Sequence, residues 1–178
     1  MDLVNRMDFE AFVAHFGNVV QGNPLCAASV WTLRPFTSVA EIHRHICEFL
    51  DKLPPYCKEG ILRCLPDLAG RLAAMGKLSK ECSREQVIAG LVDITPEERA
   101  RLTEMNTKYK AKFGFPFVVC ARENRKRSIM KGIEESLEKT QGQELLRGID
   151  EVKKICWLRL LDVVENIRKA HSDYNSKL

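Results

Sequence analysis

The chain has 178 residues, 45% of them hydrophobic and 29% charged, enough apolar material for one globular domain with a full core. Its net charge of +4 is mild, and no aromatics interleave its densest basic run, Arg122-Glu123-Asn124-Arg125-Lys126-Arg127. This excludes a strongly basic nucleic-acid binder, and that run reads as a solvated loop. No apolar run is long enough to span a bilayer, and Met1–Asn18 lacks the basic start and apolar stretch of a secretory leader, so neither membrane nor secretion is expected.

The predicted elements are helical almost throughout. Asp8 caps a first amphipathic turn carrying Phe9, Phe12, Val13 and Phe16, and Gly17 ends it. Pro24 opens a short helix toward Trp31. Ser38-Val39-Ala40-Glu41 reads as a capping box before Ile42, Ile46, Leu50 and Leu53, and Pro54-Pro55 stops that helix. A short helix follows over Glu59–Cys64. Thr95-Pro96-Glu97-Glu98 is a second box, and Gly114 closes the helix that it opens.

Phe115–Ala121 is apolar and partly β-branched. It has no partner strand, so it is expected as a buried extended segment feeding a helix. Ser128 begins a further helix, and Thr140 and Gln143 begin the last and longest, with Leu145, Ile149, Val152, Ile155 or Cys156, Leu160, Val163 and Ile167 on its core stripe. The expected fold is all-α: a single-domain bundle of about seven or eight helices over residues 1–170, with residues 171–178 as a mobile tail.

The chemistry to be read directly is sparse. The chain has no Gly-rich phosphate loop and no nucleophile elbow. The seven cysteines never fall as C-x-x-C, so reduced thiols are expected, not a disulfide framework or a zinc site. His43 and His45 lie two apart on a helix and diverge, His15 reads as a partly exposed helix residue, and His171 belongs to the tail. No metal site and no Cys–His nucleophile is expected. The final Ser176-Lys177-Leu178 has the form of a peroxisomal import signal. It predicts a peroxisomal address and an import receptor as partner.

Several stretches together resemble one family. They are Phe16-Gly17-Asn18-Val19-Val20, Trp31-x-x-Arg34-Pro35-Phe36, Gly60–Gly70 with its Pro66-Asp67-Leu68 turn, Glu85-Gln86 with Ala89-Gly90-Leu91, Phe113–Val118 and Glu151–Leu160. In order and spacing they are similar to the OHCU decarboxylases, which act on 2-oxo-4-hydroxy-4-carboxy-5-ureidoimidazoline. The likeness covers Met1–Arg168. It implies a cofactor-independent carbon–carbon lyase that forms S-allantoin in urate degradation, working as a homodimer, with family members in vertebrates being peroxisomal. No cofactor is needed because the substrate's ring C=N bond accepts the electrons left by CO₂.

The resemblance carries roles onto single residues. Glu85 is implied as the acidic substrate contact and Gln86 as the amide beside it. Cys82, Ser83 and Arg84 complete that stretch. Arg159 is implied as the guanidinium for a carboxylate or ureido oxygen. Phe117, Val118, Val119, Cys120 and Ala121 are implied to contact the substrate largely through backbone, and Pro66 through the turn. Read alone, Glu85 is an acid favoured in a first helical turn and Arg159 a surface arginine.

The chain departs from the family at three places. Leu65 stands where the family has its acid–base histidine, and a leucine moves no proton; this predicts weak or no turnover. Cys82 stands where many members have the serine of a capping box, which Ser83 with Gln86 could replace one residue later. Trp157 stands where a smaller residue is usual and could crowd the site. Two readings stay open: the decarboxylase, impaired, or an inactive homologue binding a ureido or purine-breakdown anion.

Overall fold

The computed structural model describes residues 1–176; Lys177 and Leu178, two of the three import-signal residues, lie outside the described residues. Among the described residues there are ten α-helices and one short 3-10 helix and no strand. The all-α expectation holds. Two of the ten, α1 (Asp2–Asn5) and α6 (Arg71–Ala74), are single turns that a periodicity search cannot register. The chain forms two compact units, Met1–Leu53 with Lys153–Leu178, and Pro54–Val152.

In the first unit, α2 (Phe9–Phe16) begins where the Asp8 carboxylate accepts the N–H of Ala11. Phe12 stacks on Phe16 with centroids 4.6 Å apart. Gly17 follows because nothing larger fits: a Cβ there would sit 2.5 Å from the Val13 carbonyl oxygen. α3 (Pro24–Trp31) opens on its proline. α4 (Val39–Lys52) is capped by Ser38, whose hydroxyl accepts from Glu41 N–H. The Glu41 carboxylate closes the box onto Thr37 rather than Ser38, accepting from the Thr37 N–H at 2.7 Å. Ile42, Ile46 and Leu50 line the buried face of this helix.

In the second unit, α5 (Pro55–Arg63) starts four residues earlier than the sequence suggests, because Pro55 fits the first turn as well as it ends the previous helix. α7 is Lys80–Ile88. α8 (Pro96–Phe113) has the full reciprocal capping box of Thr95 and Glu98. Gly114 then turns left-handed at φ 75°, a conformation costly for any residue with a Cβ. The chain leaves this turn into residues 115–120, extended and largely buried, and enters the 3-10 turn Ala121–Glu123. The expected buried extended segment is therefore present. α9 is Lys126–Ser136.

The last helix, α10 (Gln141–Asn175), has 35 residues. Thr140 and Gln143 begin it reciprocally: the Gln143 side-chain oxygen accepts Thr140 N–H at 2.9 Å, and the Thr140 hydroxyl accepts Gln143 N–H at 3.3 Å. Its first part belongs to the second unit and its later part to the first. Leu145, Ile149, Val152, Ile155, Cys156, Leu160 and Val164 are its buried apolar residues. No helix among the described residues is long and apolar enough to cross a membrane.

Candidate active site

The Pro66–Gly70 turn is held from three sides. Ala69 is left-handed at φ 48°, the one non-glycine residue so placed among those described, which costs about 1–2 kcal/mol. Its N–H donates to the Gln86 side-chain oxygen at 2.9 Å, and its carbonyl accepts from Arg99 Nη1 at 3.1 Å. The Leu68 carbonyl accepts from Asn106 Nδ2 at 3.2 Å. Gln86, implied as a substrate contact, is buried and spends its oxygen on this turn.

Leu65 and Pro66 line a hollow of about 240 Å³ with Arg63, Asp67, Leu72 and Lys110. Lys110 Nζ pairs with Asp67 Oδ2 at 3.0 Å, and Arg63 Nη2 with Glu59 Oε2 at 2.7 Å. Leu65 contributes only hydrocarbon there. None of residues 82–86 or 117–121 lines this hollow.

The cap of α7 differs from both sequence alternatives. The helix begins at Lys80, and the Ser79 hydroxyl accepts the N–H of Cys82 at 3.2 Å. Cys82 and Ser83 lie inside the helix, and neither caps it. Glu85 follows in the second turn, half-buried, with Arg84 and Ser83 exposed beside it and Cys82 buried.

The end of α7 is tied to the chain beyond the extended segment: Ala89 O accepts from Lys126 N–H, and Ile88 O from Arg125 Nη1, both at 3.1 Å. Burial raises the Cys120 thiol pKa to about 11, and the nearby Glu123, Glu151 and Glu85 carboxylates push it the same way. α7 packs against the 3-10 turn Ala121–Glu123, just past the extended segment.

The extended segment is fixed by α10. The Val118 carbonyl accepts from Arg147 Nη1 at 2.9 Å, and the Cys120 N–H donates to Glu151 Oε2 at 2.7 Å. The Arg147 guanidinium lies 4.4 Å above the Phe117 ring. Its Nε donates to both oxygens of Glu144, at 2.8 and 3.0 Å, and Glu144 is wholly buried. Sequence reading missed these partners. One signal was present: Glu144, Arg147 and Glu151 recur at helical spacing through the apolar face of α10.

Arg159 belongs to the first unit and is not a surface arginine: it is 2% exposed. Its Nη1 donates to the Asn18 carbonyl and to Gln21 Oε1, each at 2.9 Å. The Phe16–Val20 motif thus supplies part of its setting. Trp157, two residues earlier, packs its ring 5.3 Å from that of His43. The Trp31-x-x-Arg34 motif is a local staple, with Arg34 over the Trp31 ring at 4.0 Å and its Nε donating to the Trp31 carbonyl at 2.8 Å.

His43 Nε2 lies 2.9 Å from the Lys153 carbonyl and 3.4 Å from Cys47 Sγ. A Cys–His neighbourhood therefore exists on α4 that the sequence reading passed over, although its i, i+4 spacing permits it. All seven cysteines are free. Among the described residues no group of three or more His, Cys, Asp or Glu could hold a metal ion.

The family model for OHCU decarboxylase matches residues 5–161. The 2-oxo-4-hydroxy-4-carboxy-5-ureidoimidazoline decarboxylase of Xenopus laevis is 46% identical over 93% of this chain and 96% of its own. The protein of the same name from Mus musculus is 44% identical over 92% and 93%. Among solved structures, an (S)-allantoin synthase shares the fold with a TM-score of 0.73 at 18% identity, covering 91% of this chain and 52% of that one. An OHCU decarboxylase crystallised in the presence of (S)-allantoin gives 0.67 at 20%, covering 88% and 98%. A match of this extent, with the family's motifs placed on one extended segment, one turn and two helices, makes the chain a member of the OHCU decarboxylase family.

Proposed function

We propose that this protein decarboxylates 2-oxo-4-hydroxy-4-carboxy-5-ureidoimidazoline to S-allantoin, at a rate cut back by Leu65. The observation that carries the reading is the family match over residues 5–161, together with the 46% identity to the Xenopus laevis decarboxylase over 93% of this chain. The substrate is its own electron sink, because the ring C=N bond takes up the electron pair left by the departing CO₂. The protein must then hold an anion, orient the ureido and ring groups, and deliver one proton to one face. The extended segment suits the directional contacts. Glu85, or a water that it orients, is the carrier available for the proton.

A second reading rests on Leu65 itself. Losing a general acid–base group costs about 10²–10⁴-fold in rate, and a loss at the upper end leaves a pocket that binds a ureido or purine-breakdown anion without turning it over.

The test generates the unstable substrate in situ and follows S-allantoin by circular dichroism, comparing the native chain with Leu65→His. The expected result is a gain of about 10²–10⁴-fold on restoring the histidine. Native activity equal to that of the variant would overturn the role given to residue 65. If neither protein forms S-allantoin faster than buffer, the decarboxylase reading fails.

The Ser176-Lys177-Leu178 tail supports import into peroxisomes, to be checked by removing Leu178 and locating the protein in cells. A homodimer is proposed from the family alone, and sedimentation at working concentration decides it.

A further inference from the structure

Residues 116–120 lie outside any helix, and Cys120 has an extended backbone. The Val118 carbonyl and the Cys120 N–H, two residues apart, are both taken by α10, the first by Arg147 and the second by Glu151. Val119 lies between them. Its N–H and carbonyl have no hydrogen-bond partner among the described residues. Val119 is also the one residue of 115–121 that is not fully buried. A peptide group that is partly open and unpaired beside buried, paired neighbours is a ready donor–acceptor pair for a planar amide such as a ureido group.

Arg147 is itself held in place. Its Nε is fixed by the Glu144 carboxylate, that carboxylate also accepts the Tyr109 hydroxyl at 2.6 Å, and the guanidinium plane rests on Phe117. Glu151 is 9% exposed and gives an oxygen to Cys120. The two residues sit one turn apart on a long helix, so their spacing is rigid.

We propose that Arg147 and Glu151 are positioning residues for the reaction: by occupying Val118 C=O and Cys120 N–H they turn the Val119 peptide outward as the hydrogen-bonding edge that reads a ureido group. Neither residue touches the substrate. The inference rests on the decarboxylase reading given above and deepens it by naming what sets the segment's geometry.

The experiment titrates (S)-allantoin into ¹⁵N-labelled protein and follows the Val119 and Cys120 amide resonances, their hydrogen exchange, and the dissociation constant. In the native chain the Val119 amide shifts on titration. In Glu151→Leu, Cys120 amide exchange rises roughly a hundredfold, the Val119 shift is lost, and the dissociation constant rises about tenfold or more. Glu151→Gln keeps an acceptor oxygen and restores binding to within about threefold of native. Arg147→Met reports through Val118 in the same way should Glu151→Leu not fold.

Native-like binding by Glu151→Leu or Arg147→Met, with Cys120 exchange accelerated, would overturn the positioning role and leave the decarboxylase reading standing. Failure of Glu151→Gln to restore binding would overturn it equally. A native chain in which (S)-allantoin moves neither amide would overturn this inference, while the decarboxylase reading is decided separately by S-allantoin formation.

Discussion

The Tyr109 hydroxyl donates a 2.6 Å hydrogen bond to Glu144, a carboxylate with no exposed surface. A buried carboxylate is tolerable only if its charge is paired and its oxygens are filled. Here Arg147 pairs it, Lys139 Nζ adds a contact at 3.5 Å, and Tyr109 completes the set. Removing the hydroxyl leaves the ring packing intact and one oxygen short of a donor. Tyr109→Phe is expected to lose about 1–3 kcal/mol of stability, read by urea unfolding with an unchanged m-value. A midpoint equal to that of the native protein would show that the bond contributes nothing.

Stability is expected to fall in alkali. Burial raises the Cys26 and Cys120 thiols from 9.0 to about 11. Burial and then the Glu144 bond push the Tyr109 phenol up as well, and burial does the same to Cys156. For such groups the folded state holds its proton longer than the unfolded one. Their contribution is complete below the unfolded value and is lost as pH climbs toward the folded one, at up to about 1.4 kcal/mol per pH unit per group. Melting temperature should therefore decline between pH 9 and 11, and less steeply in Cys120→Ala. A flat profile across that window would contradict the burial argument.

Gln86 is expected to act on the turn before it acts on any ligand. Gln86→Leu strands the Ala69 N–H in a buried position, at a cost of about 1–3 kcal/mol. The Ala69 amide should then exchange with solvent much faster than in the native protein. Unchanged exchange would mean that Arg99 and Asn106 hold the turn without it.

Much of this molecule can be read locally. Asp8, Ser38, Thr95 and Thr140 announce their helices because a cap is an interaction over three residues. Gly114 announces a stop for the same reason. Ser79 escaped because no glutamate follows at the matching position, so nothing in the string marks it above Ser83. The candidate site residues Glu85, Leu65 and Phe117–Ala121 are legible only through the family's motif order. What supports them is not. Glu144 meets Tyr109 across 35 residues, Arg147 meets Val118 across 29 and Glu151 meets Cys120 across 31. Such partners become neighbours only after the fold exists. Arg159 was misread in isolation for the same reason, since Asn18, its carbonyl partner, is 141 residues away.

Gly17 offers a test of packing against Val13. With a Cβ only 2.5 Å from a backbone oxygen, Gly17→Ala forces the chain between α2 and α3 to shift. The expected cost is about 1–3 kcal/mol, measured as a lowered melting temperature. An alanine variant that melts with the native protein would show that the α2–α3 junction yields freely.

The clamp around Ala69 has an evolutionary consequence. Its members are Gln86, Arg99 and Asn106, and the side chain at 65 is not one of them. Identity at 65 and architecture are therefore separable at this corner: a lineage can exchange that one side chain without renegotiating the scaffold that displays it.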